Sequence, residues 1–210
     1  MTDSAIYPVI LAVPADKREL RGRDQVNFLS GYAREALALS AARSAVEWGT
    51  PVKDADGVPQ PVDGVYWSLT HKPDYVGGVV ARAPVGIDLE GIRPCSAKLI
   101  KRVGSDREWD LGDGDQETLF TRFWTSKETV LKASGVGFKG FSKCRVVSVP
   151  NDLHLVIDFQ KHRWPIEHYY FDGYIASVLM VQEDIRWTIL TADKQPWVPE
   201  SAENRLTDGK

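Results

Sequence analysis

Apolar positions along this chain recur with two different periods, and the changes of period mark out its elements. Residues 6–13 form a short apolar stretch closed by Pro14, which predicts a first strand. Over residues 25–46 the spacing changes: Phe28, Leu29, Tyr32, Ala36, Leu39 and Ala42 recur at steps of three and four, while Arg34, Glu35 and Arg43 fall elsewhere on the wheel. That period predicts an amphipathic helix, stopped at Trp48-Gly49-Thr50-Pro51. Residues 54–64 are rich in turn signals, among them Asp56-Gly57 and Asp63-Gly64. Strands are predicted at 65–69, 75–83 and 85–89, with Pro84 breaking the last two apart.

The second part of the chain repeats the mixture. Residues 97–103 predict a short basic helix, and 115–134 a longer one whose apolar side is Leu119, Phe123, Val130 and Leu131. Gly135 and Gly137 end it. Residues 144–149, 153–160, 169–171, 174–181 and 187–190 are strand-like, with turns at Asn151-Asp152 and Asp172-Gly173. The order predicts an α+β protein of two similar α+β halves meeting near Pro84: residues 1–84, residues 85–195, and a polar tail from 196 to 210.

Composition narrows the partners. With 43% hydrophobic residues the chain can build a real core. A net charge of −3, from 26 basic and 29 acidic residues, argues against nucleic-acid-coating and membrane-surface classes. No apolar run approaches the ~20 residues that span a bilayer. The N-terminus lacks a basic start followed by a long apolar stretch, so no signal peptide is read. Two cysteines, Cys95 and Cys144, fit free thiols in a reducing, cytoplasmic setting.

Candidate chemistry lies in three segments. In Gly86-Ile87-Asp88-Leu89-Glu90, strand alternation puts Asp88 and Glu90 on one face and turns Ile87 and Leu89 into the core. Two acids on one face raise each other's pKa unless a cation sits between them. Gly86 would leave space beside them for a bulky phosphate. The pentapeptide reads equally as a strand end with two solvated acids. In the second helix Glu128 and Lys132 are four residues apart, one above the other, with Trp124 four residues before and Lys127 adjacent. Alone this is a solvated pair. Joined to Asp88 and Glu90 it is an oxygen donor set suited to Mg²⁺, with two lysines to neutralise a pyrophosphate. The third segment, Trp67-Ser68-Leu69-Thr70-His71-Lys72, offers hydroxyls and an imidazole at a strand end, as phosphate or ribose contacts or as plain surface groups. No hydrolase triad, Walker loop or GxGxxG fingerprint is present.

Taken in order, these three segments resemble the 4′-phosphopantetheinyl transferases over residues 65–141, most specifically in Trp-Thr-Ser-Lys-Glu-x₃-Lys. The length is similar to the single-chain, pseudo-dimeric surfactin-synthetase-activating type. The resemblance implies transfer of the phosphopantetheine arm of coenzyme A to a serine of an acyl or peptidyl carrier protein. It implies that Asp88, Glu90 and Glu128 bind Mg²⁺, that Lys127 and Lys132 contact phosphates, and that His71, with Thr70, reaches the 3′-phosphate. Glu128 would take the serine proton, with Glu90 as second candidate, and Lys132 would share the catalytic charge. Two halves in one chain would make a monomer sufficient. The chain departs from the pattern at Ser68, where the family often has Asn, and on the first long helix. There Arg34 fits one basic position but the next is Ala38, so that coenzyme A would be held less tightly, or by Arg18, Arg21 or Arg23 instead. Lys98, Lys101 and Arg102, with Leu99 and Ile100, would suit docking of an acidic carrier, or form a plain surface helix. A Mg²⁺-dependent phosphohydrolase and a non-catalytic coenzyme A or carrier binder are the alternatives.

Overall fold

The computed structural model describes residues 5–181 and 184–198. Pro8 splits the first apolar stretch, so that one expected strand becomes two, β1 (Ala5–Ile6) and β2 (Val9–Ala12). One turn of helix, α1 (Ala15–Arg18), precedes the long amphipathic α2 (Gly22–Arg43). The turn-rich connection carries a small hairpin, β3 (Val52–Lys53) and β4 (Pro59–Gln60), followed by β5 (Tyr66–His71), β6 (Tyr75–Ala81) and β7 (Ile87–Gly91). The short basic helix α3 (Ala97–Val103) forms where its pattern predicts. Next comes α4 (Asp106–Trp109), a helix whose signal is the capping box of Ser105 and Glu108.

The second long helix, α5 (Gln116–Ser134), is capped by the Asp115 carboxylate, which accepts from Thr118 N at 2.9 Å, and ends at Gly135 with a φ of 69°. The remaining strands are β8 (Arg145–Asn151), β9 (His154–Phe159), β10 (His162–Phe171), β11 (Tyr174–Leu179), β12 (Asp184–Ile185) and β13 (Thr188–Leu190). β10 is far longer than its apolar stretch at 169–171 suggests. Pro165, which has no N–H to donate, lies one residue before the β11 ladder that starts at Ile166, and its carbonyl accepts from Met180 N.

Two sheets result, ordered β13-β2-β6-β5 and β7-β11-β10-β9-β8. One face of the first sheet, with Val9, Leu11 and Val76, packs on α2 through Ala33 and Ala36. Its other face, with Ile10, Ala12 and Tyr75, packs on Leu89, Phe171 and Ala176 of the second sheet. The far side of the second sheet covers α5 through Phe123, Val130, Leu155 and Ile166. The layers are therefore helix, sheet, sheet, helix. The chain crosses back at its end: β13 lies parallel to β2, and β12 parallel to β1. Residues 199–210, most of the expected polar tail, lie outside the described residues. Among the described residues no helix is long and apolar enough to cross a membrane.

The two long helices approach their sheets through glycine. A Cβ on Gly78 would sit 2.6 Å from Leu37 N of α2, and one on Gly86 would sit 2.0 Å from Thr129 O of α5. Gly86 thus makes room for the helix backbone; the open space for a phosphate expected there is filled by α5. Gly86→Ala is expected to destabilise by about 3 kcal/mol or more, because backbone rather than a flexible side chain must move. Gly31→Ala, with open space around it in α2, should instead stabilise by about 0.5–1 kcal/mol. Denaturant midpoints of the two variants decide this, and a neutral Gly86→Ala would contradict the close approach.

Candidate active site

Three elements converge on one cleft of about 430 Å³. Strand β5 brings Thr70 and His71, β7 brings Asp88 and Glu90, and α5 brings Trp124, Glu128 and Lys132. The helix positions are four residues apart and so share a face. Asp88 is 5% exposed, and its Oδ1 accepts from Thr70 Oγ1 at 2.9 Å and from Lys132 Nζ at 2.7 Å. The Lys132 ammonium also donates to Ile87 O at 2.9 Å, which pins it between helix and strand. Glu90 pairs with Lys72.

Burial sets the protonation energies of the cleft. Desolvation, reinforced by Asp88 and opposed by Lys132, pushes the Glu128 carboxyl up to about 7. Desolvation also raises Glu90, with the Lys72 contact pulling the other way. His71 is held below the ordinary imidazole range by burial and then by the charges of Lys132, Lys72 and Lys53.

The oxygen set fits a hard cation. Asp88 Oδ2 is buried and has no hydrogen-bond partner among the described residues, and such an orphan is costly unless a cation or donor meets it. Glu128, raised by the neighbouring carboxylate, would be relieved by the same charge. Among the described residues no three carboxylates, histidines or cysteines form a ready-made coordination cluster; Lys132 pairs with Asp88 and Lys72 with Glu90. Mg²⁺, which retains waters and takes ligands from phosphates, needs no all-protein cage.

Of the residues singled out by sequence, Thr70, His71, Asp88, Glu90, Glu128 and Lys132 meet in the cleft. Arg34 is exposed on α2, its guanidinium donating to Ser30 O at 3.4 Å, and does not line the cleft. Arg18 and Arg21 are spent on backbone carbonyls around α1. Two cleft lysines went unassigned in the sequence: Lys72, beside His71, and Lys53, on a two-residue strand without periodicity.

Lys127 is the correction. Adjacent residues on a helix point about 100° apart, so Lys127 cannot share the face of Glu128. It is 2% exposed and donates to Glu108 Oε1 at 2.7 Å and to Val103 O at 2.5 Å. It does not line the cleft, and its charge is matched inside the protein rather than by a phosphate. Burial alone would raise Glu108, but Lys127 and the backbone amides of Ser105 and Val146 more than offset this and hold it below the ordinary range. Lys127→Ala should therefore leave a buried unpaired carboxylate and destabilise the fold by about 3–5 kcal/mol. Because the Glu108 pKa is depressed, its contribution is full above the unfolded value of about 4.3 and is lost as pH falls through the lower folded value. Stability of the wild type should fall more steeply than that of Lys127→Ala below about pH 4.3, measured by denaturant titration in acid. A Lys127→Ala protein of wild-type stability with only a raised KM for nucleotide would restore the phosphate role.

Residues 84–179 match the sequence profile of the 4′-phosphopantetheinyl transferase superfamily. That span includes Asp88, Glu90, Glu128 and Lys132; the cleft residues Lys53, Thr70 and His71 lie before it. The chain is 36% identical over 80 residues to the 4′-phosphopantetheinyl transferase psf-1 of Bacillus pumilus, covering 36% of this chain and 34% of that protein. It is 32% identical over 96 residues to the 4′-phosphopantetheinyl transferase HetI of Nostoc sp., covering 42% and 40%. With the 4′-phosphopantetheinyl transferase ffp of Bacillus subtilis, identity is 26% over 148 residues, covering 67% and 63%. The chain thus spans from about a third to just under two thirds of the length of these relatives. Over residues 84–179, just under half of its length, the chain is thus similar to the 4′-phosphopantetheinyl transferase superfamily.

Proposed function

We propose that this chain transfers the 4′-phosphopantetheine group of coenzyme A to a serine of an apo acyl or peptidyl carrier protein, releasing 3′,5′-ADP. The observation that carries the reading is Asp88, buried with one oxygen orphaned and the other bonded to Thr70 and Lys132, in a cleft that also holds Glu90 and Glu128. Asp88, Glu90 and Glu128 would hold Mg²⁺, which supplies positive charge to the pyrophosphate and to the departing bridge oxygen. Lys132 adds a fixed charge beside it, already oriented by Ile87 O. Trp124 and Phe138 wall the cleft against water.

In the reaction the serine oxygen bonds to the β-phosphorus of coenzyme A as the bond from that phosphorus to the bridge oxygen breaks. The serine proton passes to a carboxylate. Glu128 is the first candidate, since α5 presents it to the cleft beside Asp88, and Glu90 is the second.

The carrier would dock beside the cleft. A groove of about 420 Å³ lined by Arg93, Cys95, Leu99, Phe120 and Trp124 shares Glu90 with it, and Lys98, Lys101 and Arg102 of α3 are exposed nearby. This gives apolar surface rimmed by positive charge, matched to an acidic helix. Arg102 also stacks over Phe138, 5.1 Å from the ring centroid, so that Lys101 is the cleaner probe of docking.

Incubation with coenzyme A, Mg²⁺ and an apo-carrier should add the mass of one phosphopantetheine group to the carrier, and Asp88→Ala should abolish the gain. Wild-type rates in Asp88→Ala would refute the metal assignment, and coenzyme A consumed without any carrier would favour a phosphohydrolase. Reversal of Lys101 to Glu, alone and with Arg102→Glu, should raise KM for the carrier far more than KM for coenzyme A. Equal effects on both substrates would remove the docking site from α3.

A further inference from the structure

One buried titratable side chain has no part in the cleft. His168 stands on β10, 2% exposed, directly opposite Ser177 of β11. Its Nδ1 lies 2.9 Å from Ser177 Oγ, and Ser177 Oγ lies 2.6 Å from Thr125 Oγ1 of α5. Thr125 Oγ1 lies 2.9 Å from Thr121 O and 3.2 Å from Arg122 O. Ser177 and Thr125 are fully buried, so bulk water does not compete for these groups.

The direction of this chain of hydrogen bonds is fixed at its far end. A carbonyl oxygen only accepts, so the single Thr125 hydroxyl proton goes back to the preceding turn, to Thr121 O with Arg122 O beside it. Thr125 Oγ1 then accepts from Ser177, and Ser177 in turn accepts from His168. The imidazole proton therefore sits on Nδ1. Nε2 carries the bare lone pair; it is buried and has no partner among the described residues. The opposite tautomer would turn every bond round and leave Thr125 Oγ1 and Thr121 O, 2.9 Å apart, with no proton between them. A doubly protonated ring is disfavoured by burial and by the charges of Arg122 and His154, which hold it well below the ordinary imidazole range.

Ser177 is where this chain meets the cleft. It pairs across the ladder with Asp88 of β7, and its carbonyl accepts from Thr129 Oγ1 at 3.1 Å. Thr125 and Thr129 are one turn apart on α5, and Glu128 belongs to the same turn. One serine thus ties the strand that carries Asp88 to the stretch of helix that carries Glu128. We infer that His168 is a positioning residue of the cleft: as the Nδ1–H tautomer it starts a one-way chain of hydrogen bonds that sets the register of α5 over β11, and with it the place of Glu128 beside Asp88. Its effect on turnover rests on the transferase reading above; the tautomer and the register do not.

The tautomer is read from the ring nitrogen shifts of ¹⁵N-labelled wild type, with His168→Asn identifying the signals of His168. A protonated Nδ1 and a bare Nε2 are expected at neutral pH; a proton on Nε2, or on both nitrogens, overturns the inference. Turnover is read with coenzyme A, Mg²⁺ and an apo-carrier. Asparagine can place an amide N–H where Nδ1 stands, whereas leucine fills the space without a donor, and Ser177→Ala cuts the chain one step later. Misplacement of a reacting group by about 1 Å costs up to roughly a hundredfold in rate. His168→Leu and Ser177→Ala should therefore each lose about tenfold or more in kcat, with KM for coenzyme A within about twofold, and His168→Asn should recover most of the loss. Amide hydrogen exchange over residues 125–132 should be faster in His168→Leu than in His168→Asn. Equal losses in His168→Leu and His168→Asn, wild-type kcat in His168→Leu and Ser177→Ala, or a change confined to KM overturns the inference while leaving the transferase reading intact. If wild type transfers nothing to a carrier, the transferase reading falls, and the tautomer and the exchange decide this inference by themselves.

Discussion

The contact between the backbone of α5 and strand β7 governs this molecule. With Gly86 offering no side chain, Thr129 O lies where a Cβ would be, and the helix rests directly on the strand. At that spacing Lys132 reaches both Ile87 O and Asp88, and Glu128 comes within electrostatic range of Asp88 and Glu90. A helix displaced by the width of a methyl group would leave these as separate solvated charges. Two further bonds hold it in register: Thr125 Oγ1 meets Ser177 Oγ at 2.6 Å and Thr129 Oγ1 donates to Ser177 O at 3.1 Å, so that β11 fixes the helix next to β7.

The opposite side of α5 is fixed by charge. Lys127 and Glu108 form a buried pair that also takes Val103 O and Val146 N, bringing α3, α4 and β8 to one point. Two lysines five residues apart on one helix therefore serve different ends: Lys132 lines the cleft, and Lys127 belongs to the frame. One short motif can mix the two because a helix displays its residues in all directions.

Much of this was legible from periodicity. The two long helices, the strands around them and the sharing of a face by Trp124, Glu128 and Lys132 follow from spacing alone, and strand alternation puts Asp88 beside Glu90. What escaped was non-local or too short to have a period. Whether Lys127 meets a phosphate or Glu108 depends on where α4 lies. The role of Gly86 depends on which backbone approaches it. Lys53 sits on a strand of two residues, below the length at which any pattern exists, and its place in the cleft is set by Asp54, Gln60 and Trp67. The Ser105–Glu108 capping box was readable but easily passed over in so short a helix.

The return of β13 to lie beside β2 has a consequence for how the chain comes into being. The first sheet is threaded from both ends of the polypeptide, Val9–Ala12 and Thr188–Leu190, and its Ile189 side chain closes the layer between the sheets. During synthesis the N-terminal strands must wait, incomplete, until nearly two hundred residues have left the ribosome. The edge of β2 stays open through that interval, a surface that a chaperone or another nascent chain can pair with first. The first sheet is consequently not a module that evolution or a gene fusion could trade separately: its backbone ladder is completed by β13, from beyond the last strand of the second sheet.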